Sequence, residues 1–169
     1  FSLYLAYLDQ LSPPDIQALQ AKGRALPRLV VAQDDDRADP AEGNIRQADF
    51  FASDEWFPKD VSLVIGNPPW GSIAKDDTPA GRWCVAHTRP LPDKQIAAAF
   101  IWKATEHVAD TGRICFVLPH GVLFNHSTTA IPFQRAWVRA HAIDRVLNLG
   151  DFQRFLFEKA GHPALVVSY

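Results

Sequence analysis

The segment Gly66-Asn67-Pro68-Pro69-Trp70-Gly71 holds the densest set of chemistry-bearing groups in the chain. Two prolines in series surrender both backbone donors and fix both φ angles, which leaves a rigid rim of carbonyl acceptors. Asn67 adds a side-chain acceptor before them and Trp70 a large flat face after them. Acceptors beside a platform suit a planar ligand that carries an amino group. A plain turn accounts for Asn and Pro but not for the whole ordered set. Other candidates carry less. Cys84 and His87 form a lone Cys-x-x-His with no second pair at metal-site spacing, which reads as a solvent loop and not a metal site. His120 and His126 follow Leu118, where one of them could touch a substrate. Arg135, Arg139, Arg145 and Arg154 are spread among acids and read as a solvated face.

What positions the rim is the strand before it. Val61 to Ile65 is a short apolar run that stops at Gly66-Asn67-Pro68-Pro69, as central parallel strands covered on both faces do. Residues 71 to 92 lack periodicity and read as a long loop. Asp93 is expected to cap a helix through Ile96, Phe100, Ile101, Ala104 and Val108, closed at Thr111-Gly112. Strand 113–118 follows, halted by Pro119, then a helix from Ile131 to His141, strand 145–149 ended by Gly150, and a last strand, 165–167. Upstream, helical spacing of Phe1, Leu3, Leu5, Leu8 and Leu11 predicts a first helix, and Ser12-Pro13-Pro14-Asp15 separates it from a second over Ile16 to Lys22. Leu29 to Ala32 reads as a β run, Asp34 to Gly43 as an acidic loop, and Asn44 to Ala48 as a short strand. The alternation of strand and helix is that of an α/β sheet, whose ligands sit beyond the carboxyl ends of the strands.

Composition sets the outer bounds. The 169 residues are 47% hydrophobic and 21% charged, enough to bury one sizeable core, and no apolar run is long enough to span a bilayer. Seventeen basic against nineteen acidic residues leave a net charge of −2, without the basic excess of an autonomous nucleic-acid binder. Two cysteines fit reduced thiols in a cytoplasmic setting. The absence of methionine and an opening that already reads as mid-helix point to a piece of a longer protein.

In its strand context the ordered set Asn67, Pro68, Pro69, Trp70 resembles the signature of amino-methyltransferases that use S-adenosylmethionine, above all the DNA adenine-N6 methyltransferases of restriction-modification and phage-defence systems. The resemblance implies a partial Rossmann-like methyltransferase fold, a mostly parallel sheet with helices on both faces whose last strand is reversed in an edge hairpin. It implies that Asn67 and the Pro68 carbonyl accept from the target amine, that Pro69 keeps the rim rigid, and that Trp70 stacks on a base flipped out of double-stranded DNA. Asn44 to Phe50 is similar to the segment whose acid, here Asp49, accepts from the amino group of the cofactor adenine, with Phe50 against that ring; a surface acid at a strand end is the other reading. Lys94 to Phe100 resembles the helix whose Phe borders the cofactor, although Phe100 is equally a core residue. Residues 155 to 159 resemble a late segment in which an aromatic supports the flipped base from its other face; Phe157 fits, with Phe155 as the competitor.

Two family features are missing: the Gly-rich loop for the methionine end of S-adenosylmethionine and the acid for its ribose. Both are expected upstream of Phe1, which makes the chain the C-terminal part of a catalytic domain with no target-recognition domain. A second register would put an acid of Asp34 to Asp36 on the ribose. The fragment alone is therefore expected neither to bind the cofactor with ordinary affinity nor to methylate DNA, and its uncovered apolar surface is expected to favour self-association. Specificity or restriction subunits are the implied protein partners, with no membrane. Relatives with the same motif act on RNA guanine or protein glutamine, and a catalytically silent binding module is the reading outside enzymes.

Overall fold

The computed structural model describes residues 11–22, 48–52, 57–72, 78–152, 155 and 162–169. The chain divides into two compact units, Phe1–Ala48 and Asp49–Tyr169. In the first, helix α1 spans Pro13–Ala21. It begins earlier than periodicity predicts, because Asp15 accepts from both the Ser12 amide (3.0 Å) and hydroxyl (2.5 Å) and Pro13 suits the first helical position. Those bonds hold the Asp15 carboxyl below its usual pKa. The remaining calls upstream of Ala48 lie outside the described residues.

The second unit is built on four strands, β1 (Val61–Gly66), β2 (Val108–Pro119), β3 (Arg145–Asn148) and β4 (Ala164–Ser168), in the order β1-β2-β4-β3. β1 and β2 are parallel, and β4 runs antiparallel to both β2 and β3. Three strands thus share one direction, with the reversed strand in a terminal hairpin, the α/β architecture expected. Between them lie α2 (Pro79–Ala86), a 3-10 turn (Pro92–Lys94), α3 (Ile96–Ala104), α4 (Gly121–Phe124) and α5 (Ala130–Ala140).

Alternation puts Ile114, Phe116, Leu118, Leu165 and Val167 on one face, all buried, where they join Ile101 and Trp102 of α3 and Phe133 and Trp137 of α5. Ala97, Ala98 and Ala99 are fully buried on α3; residues that small let the helix backbone lie close to its neighbours. On the alternate face Leu63, Ile65 and Leu147 are exposed.

Three local expectations are corrected. Residues 71–92 are not all loop: Thr78 accepts from the Gly81 amide (3.1 Å), Pro79 opens the turn, and Ala80, Trp83 and Cys84 bury one face of α2. Cys84 is therefore core rather than solvent loop. The helix after Asp93 stops at Ala104, and Val108 begins a strand that passes through Gly112. A side chain at Gly112 would lie 2.6 Å from a Val108 methyl and 2.8 Å from the Val61 carbonyl, so here glycine permits strand pairing instead of ending a helix. Asp93 does not cap α3 either; its own backbone is left-handed (φ 46°) and Gln95 takes the cap position.

Candidate active site

β1 delivers the rim. At its last residue, Gly66, an added Cβ would stand 2.9 Å from the Phe116 ring, so only glycine lets that buried ring close against the strand end. Asn67 and Pro69 are exposed beyond it, Pro68 is buried and Trp70 half-buried. An exposed amide, two consecutive prolines and a partly covered indole thus follow the carboxyl end of β1.

A second cluster gathers in front of α3. The Asp49 carboxylate accepts from the Phe51 amide (2.9 Å), and the Ala52 amide bonds the Asp49 carbonyl (3.2 Å), which makes a tight Asx turn. The turn sends Phe50 onto Phe100, with ring centroids 5.4 Å apart and planes 16° from parallel. Phe51 meets Phe100 edge-on at 4.9 Å, and Phe57 and His107 close around Phe50. Sequence reasoning gathers Asp49, Phe50 and Phe100 at one place, and they are together. Phe50 and Phe100 touch each other, however, so no ring fits between them. A planar group here has the outer surface of this aromatic wall beside an exposed carboxylate, a donor-seeking acceptor next to a flat apolar face. That set fits the amino-bearing adenine end of a nucleoside cofactor.

A third feature escapes the sequence. Asp93 and Lys94 are consecutive non-glycine residues in the left-handed region (φ 46° and 58°), a conformation that costs about 1–2 kcal/mol per residue. Hydrogen bonds of Asp93 hold the turn there. The Asp93 carboxylate accepts from Thr129 Oγ1 (2.7 Å), Ser127 Oγ (3.0 Å) and Asn125 Nδ2, and its amide donates to Thr129 Oγ1 (2.9 Å). Its carbonyl accepts from Ser72 Oγ (3.3 Å), Ser72 pairs with Gln95 as an isolated bridge, and the Ile96 amide donates to the Gly71 carbonyl (3.0 Å). The residues just past Trp70 are thereby stitched to the 125–129 loop between α4 and α5.

Residues 33–167 match the family described as N-6 DNA Methylase. The chain belongs to the N-6 DNA methylase family. The crystal structure of the type I restriction-modification system methyltransferase subunit from Streptococcus thermophilus is similar over 72% of this chain, at 26% identity and a TM-score of 0.52. The chain spans 26% of that subunit's length. It matches no curated protein.

Within this N-6 DNA methylase chain the remaining candidates sort by environment. Phe157 lies outside the described residues, and its competitor Phe155 is almost wholly exposed. His120 stacks on Phe124 (4.4 Å) and its amide bonds the Pro163 carbonyl, a scaffold arrangement. His87 stacks on Trp83 (4.3 Å), and burial pushes the Cys84 thiol up to about 12. Among the described residues no three His, Cys, Asp or Glu side chains are grouped to hold a metal ion. Arg135, Arg139 and Arg145 are exposed, and Arg154 lies outside the described residues. No described helix is long and apolar enough to cross a membrane. Asp93 and Gln95, whose buried Oε1 has no partner among the described residues, are the site-adjacent groups that sequence reasoning missed. A helix-capping role for Asp93 masked them, since its true partners lie 32 to 36 residues away.

Proposed function

We propose that the complete protein transfers a methyl group to adenine N6 in DNA. The observation that carries this reading is the exposed Asn67 on a proline-fixed rim, with Trp70 behind it, at the carboxyl end of β1 in an N-6 DNA methylase chain. When bound, S-adenosylmethionine supplies an electrophilic methyl on a sulfonium. An exocyclic amine conjugated to adenine is a poor nucleophile. Asn67 Oδ1 and the Pro68 carbonyl accept hydrogen bonds from its two N–H groups, draw it toward tetrahedral geometry and aim its lone pair at the methyl. No general base with a tuned pKa is needed before attack; the N–CH3 bond would form as the methyl–sulfonium bond breaks to leave a neutral thioether, and one of the amine's two protons would then be lost to water. Pro69 keeps the carbonyl from turning away. Trp70 stacks on the flipped base and offsets part of the few kcal/mol that flipping costs, since stacking is worth about 1–3 kcal/mol.

Asp49 accepts from the amino group of the cofactor adenine with the carboxylate oxygen that its own turn leaves open, and Phe50 with Phe100 forms the wall against which that ring lies. Asp49, Phe50 and Phe100 serve only the adenine end of the cofactor, so the chain by itself neither binds the cofactor with ordinary affinity nor methylates DNA. Phe157 is the second aromatic on the flipped base. The substrate is double-stranded DNA. Specificity or restriction subunits are its partners in a cytoplasmic restriction-modification or defence system; the resemblance to a type I methyltransferase subunit supports this. Incubating the complete protein with methyl-labelled cofactor and DNA, RNA or release-factor protein tests the reading. Label on DNA adenine is expected, and label on protein or RNA alone overturns it.

A further inference from the structure

We infer that Asp93 is a positioning residue that fixes the spacing between the loops leaving the carboxyl ends of β1 and β2, and with it the width of the crevice a target base must enter. The inference rests on the reading of Asn67 to Trp70 as the target-base rim. β1 and β2 are parallel neighbours, so Gly66 and Pro119 both discharge their loops on the side where an α/β sheet binds ligands. Asp93 is bonded to the segment after β1 and, past the one-turn helix α4 that leaves β2, to the 125–129 loop. Its backbone carbonyl holds Ser72, two residues past Trp70, while its carboxylate and amide hold Asn125, Ser127 and Thr129.

The far loop is itself fixed. Gln134 of α5 donates to the carbonyls of Leu123 (2.9 Å) and Asn125 (2.8 Å), and Ser127 Oγ accepts from the Ala130 amide (3.1 Å) at the start of α5. Phe133 and Trp137 bury α5 in the core. Rigidity is thus passed from the core, through α5 and the 125–129 loop, to Asp93 and on to the residues after the rim. Capping does not explain the residue, because α3 takes Gln95 as its cap and receives no side-chain bond there. Two left-handed non-glycine residues persist only where surroundings over-determine them, and such strain gathers at sites that must be held in one geometry.

The test uses the complete protein and DNA carrying 2-aminopurine at the target position. Asp93→Ala is expected to lower the methylation rate by about 10²-fold, the scale of a small misplacement of reacting groups. It is also expected to reduce the fluorescence rise that reports base flipping, with cofactor affinity unchanged. Asp93→Asn keeps acceptor oxygen for Thr129 and is expected to recover part of both signals, which a loss of folded protein would not produce. Ser127→Ala and Thr129→Val, each removing donors while sparing Asp93, are expected to give smaller losses in the same order and carry the test if Asp93→Ala does not fold. Wild-type flipping and rates in these variants, beside an active parent, overturn the inference alone. A parent that transfers no methyl to DNA overturns the function on which it rests.

Discussion

The rim at Asn67–Trp70 and the knot around Asp93 are neighbours held in shape by opposite means. The rim is stiff because of covalent geometry: two proline rings fix φ, whatever surrounds them. The knot is stiff because three side chains from a distant loop, through four hydrogen bonds, hold an unfavourable backbone in place. Stiffness of the first kind survives in isolation and is visible in sequence. Stiffness of the second kind exists only in the folded chain and weakens as partners are removed.

The largest expected effect separates chemistry from shape at the rim. Asn67→Ala in the complete protein should lower methylation by about 10²–10³-fold, the scale set by losing one preorganised hydrogen bond to a transition state. Its melting temperature should stay unchanged, because Asn67 is exposed. A melting shift with intact methylation would show that the amide serves the fold instead. Next is Gly66→Ala, which drives a Cβ to 2.9 Å from the Phe116 ring. Overpacking there should cost about 1–3 kcal/mol, read from the urea midpoint. No loss of stability would mean that the base of the rim is softer than its prolines.

Thr78→Ala removes the cap of α2, the helix between rim and knot, and should cost about 1 kcal/mol while methylation is retained. A large loss of activity would make α2 part of the positioning chain rather than a packed spacer. Cys84 offers the smallest and most local test. The folded thiol keeps its proton to about 12 because burial disfavours the thiolate, while an unfolded thiol releases it near 9. Between those values the folded state binds more protons, so stability should fall as pH rises through that window. Burial also pushes the Tyr169 phenol up, which adds a fall of the same sign above pH 10. Comparing denaturation of wild type and Cys84→Ala just above pH 9 isolates the thiol; equal slopes would place Cys84 in contact with solvent.

The local code was sufficient wherever short-range physics decided the outcome. The apolar run before Gly66, the two prolines and the apolar run 113–118 all act over a few residues, and they specify the strands, the rim and the α/β class. The family resemblance, not spacing, put Phe50 and Phe100 at one place, since helical spacing reads Phe100 equally as core. Tertiary structure decided the rest. It stacked Phe50 on Phe100 and made them one wall, and it used Gly112 inside a strand where the sequence suggests a helix end. It turned Asp93 from a cap into a tie between two loops. The reason is separation along the chain. An aspartate before an apolar run carries the same local signal whether it caps its own helix or meets Thr129, and only the packed α5 brings the second partner within reach.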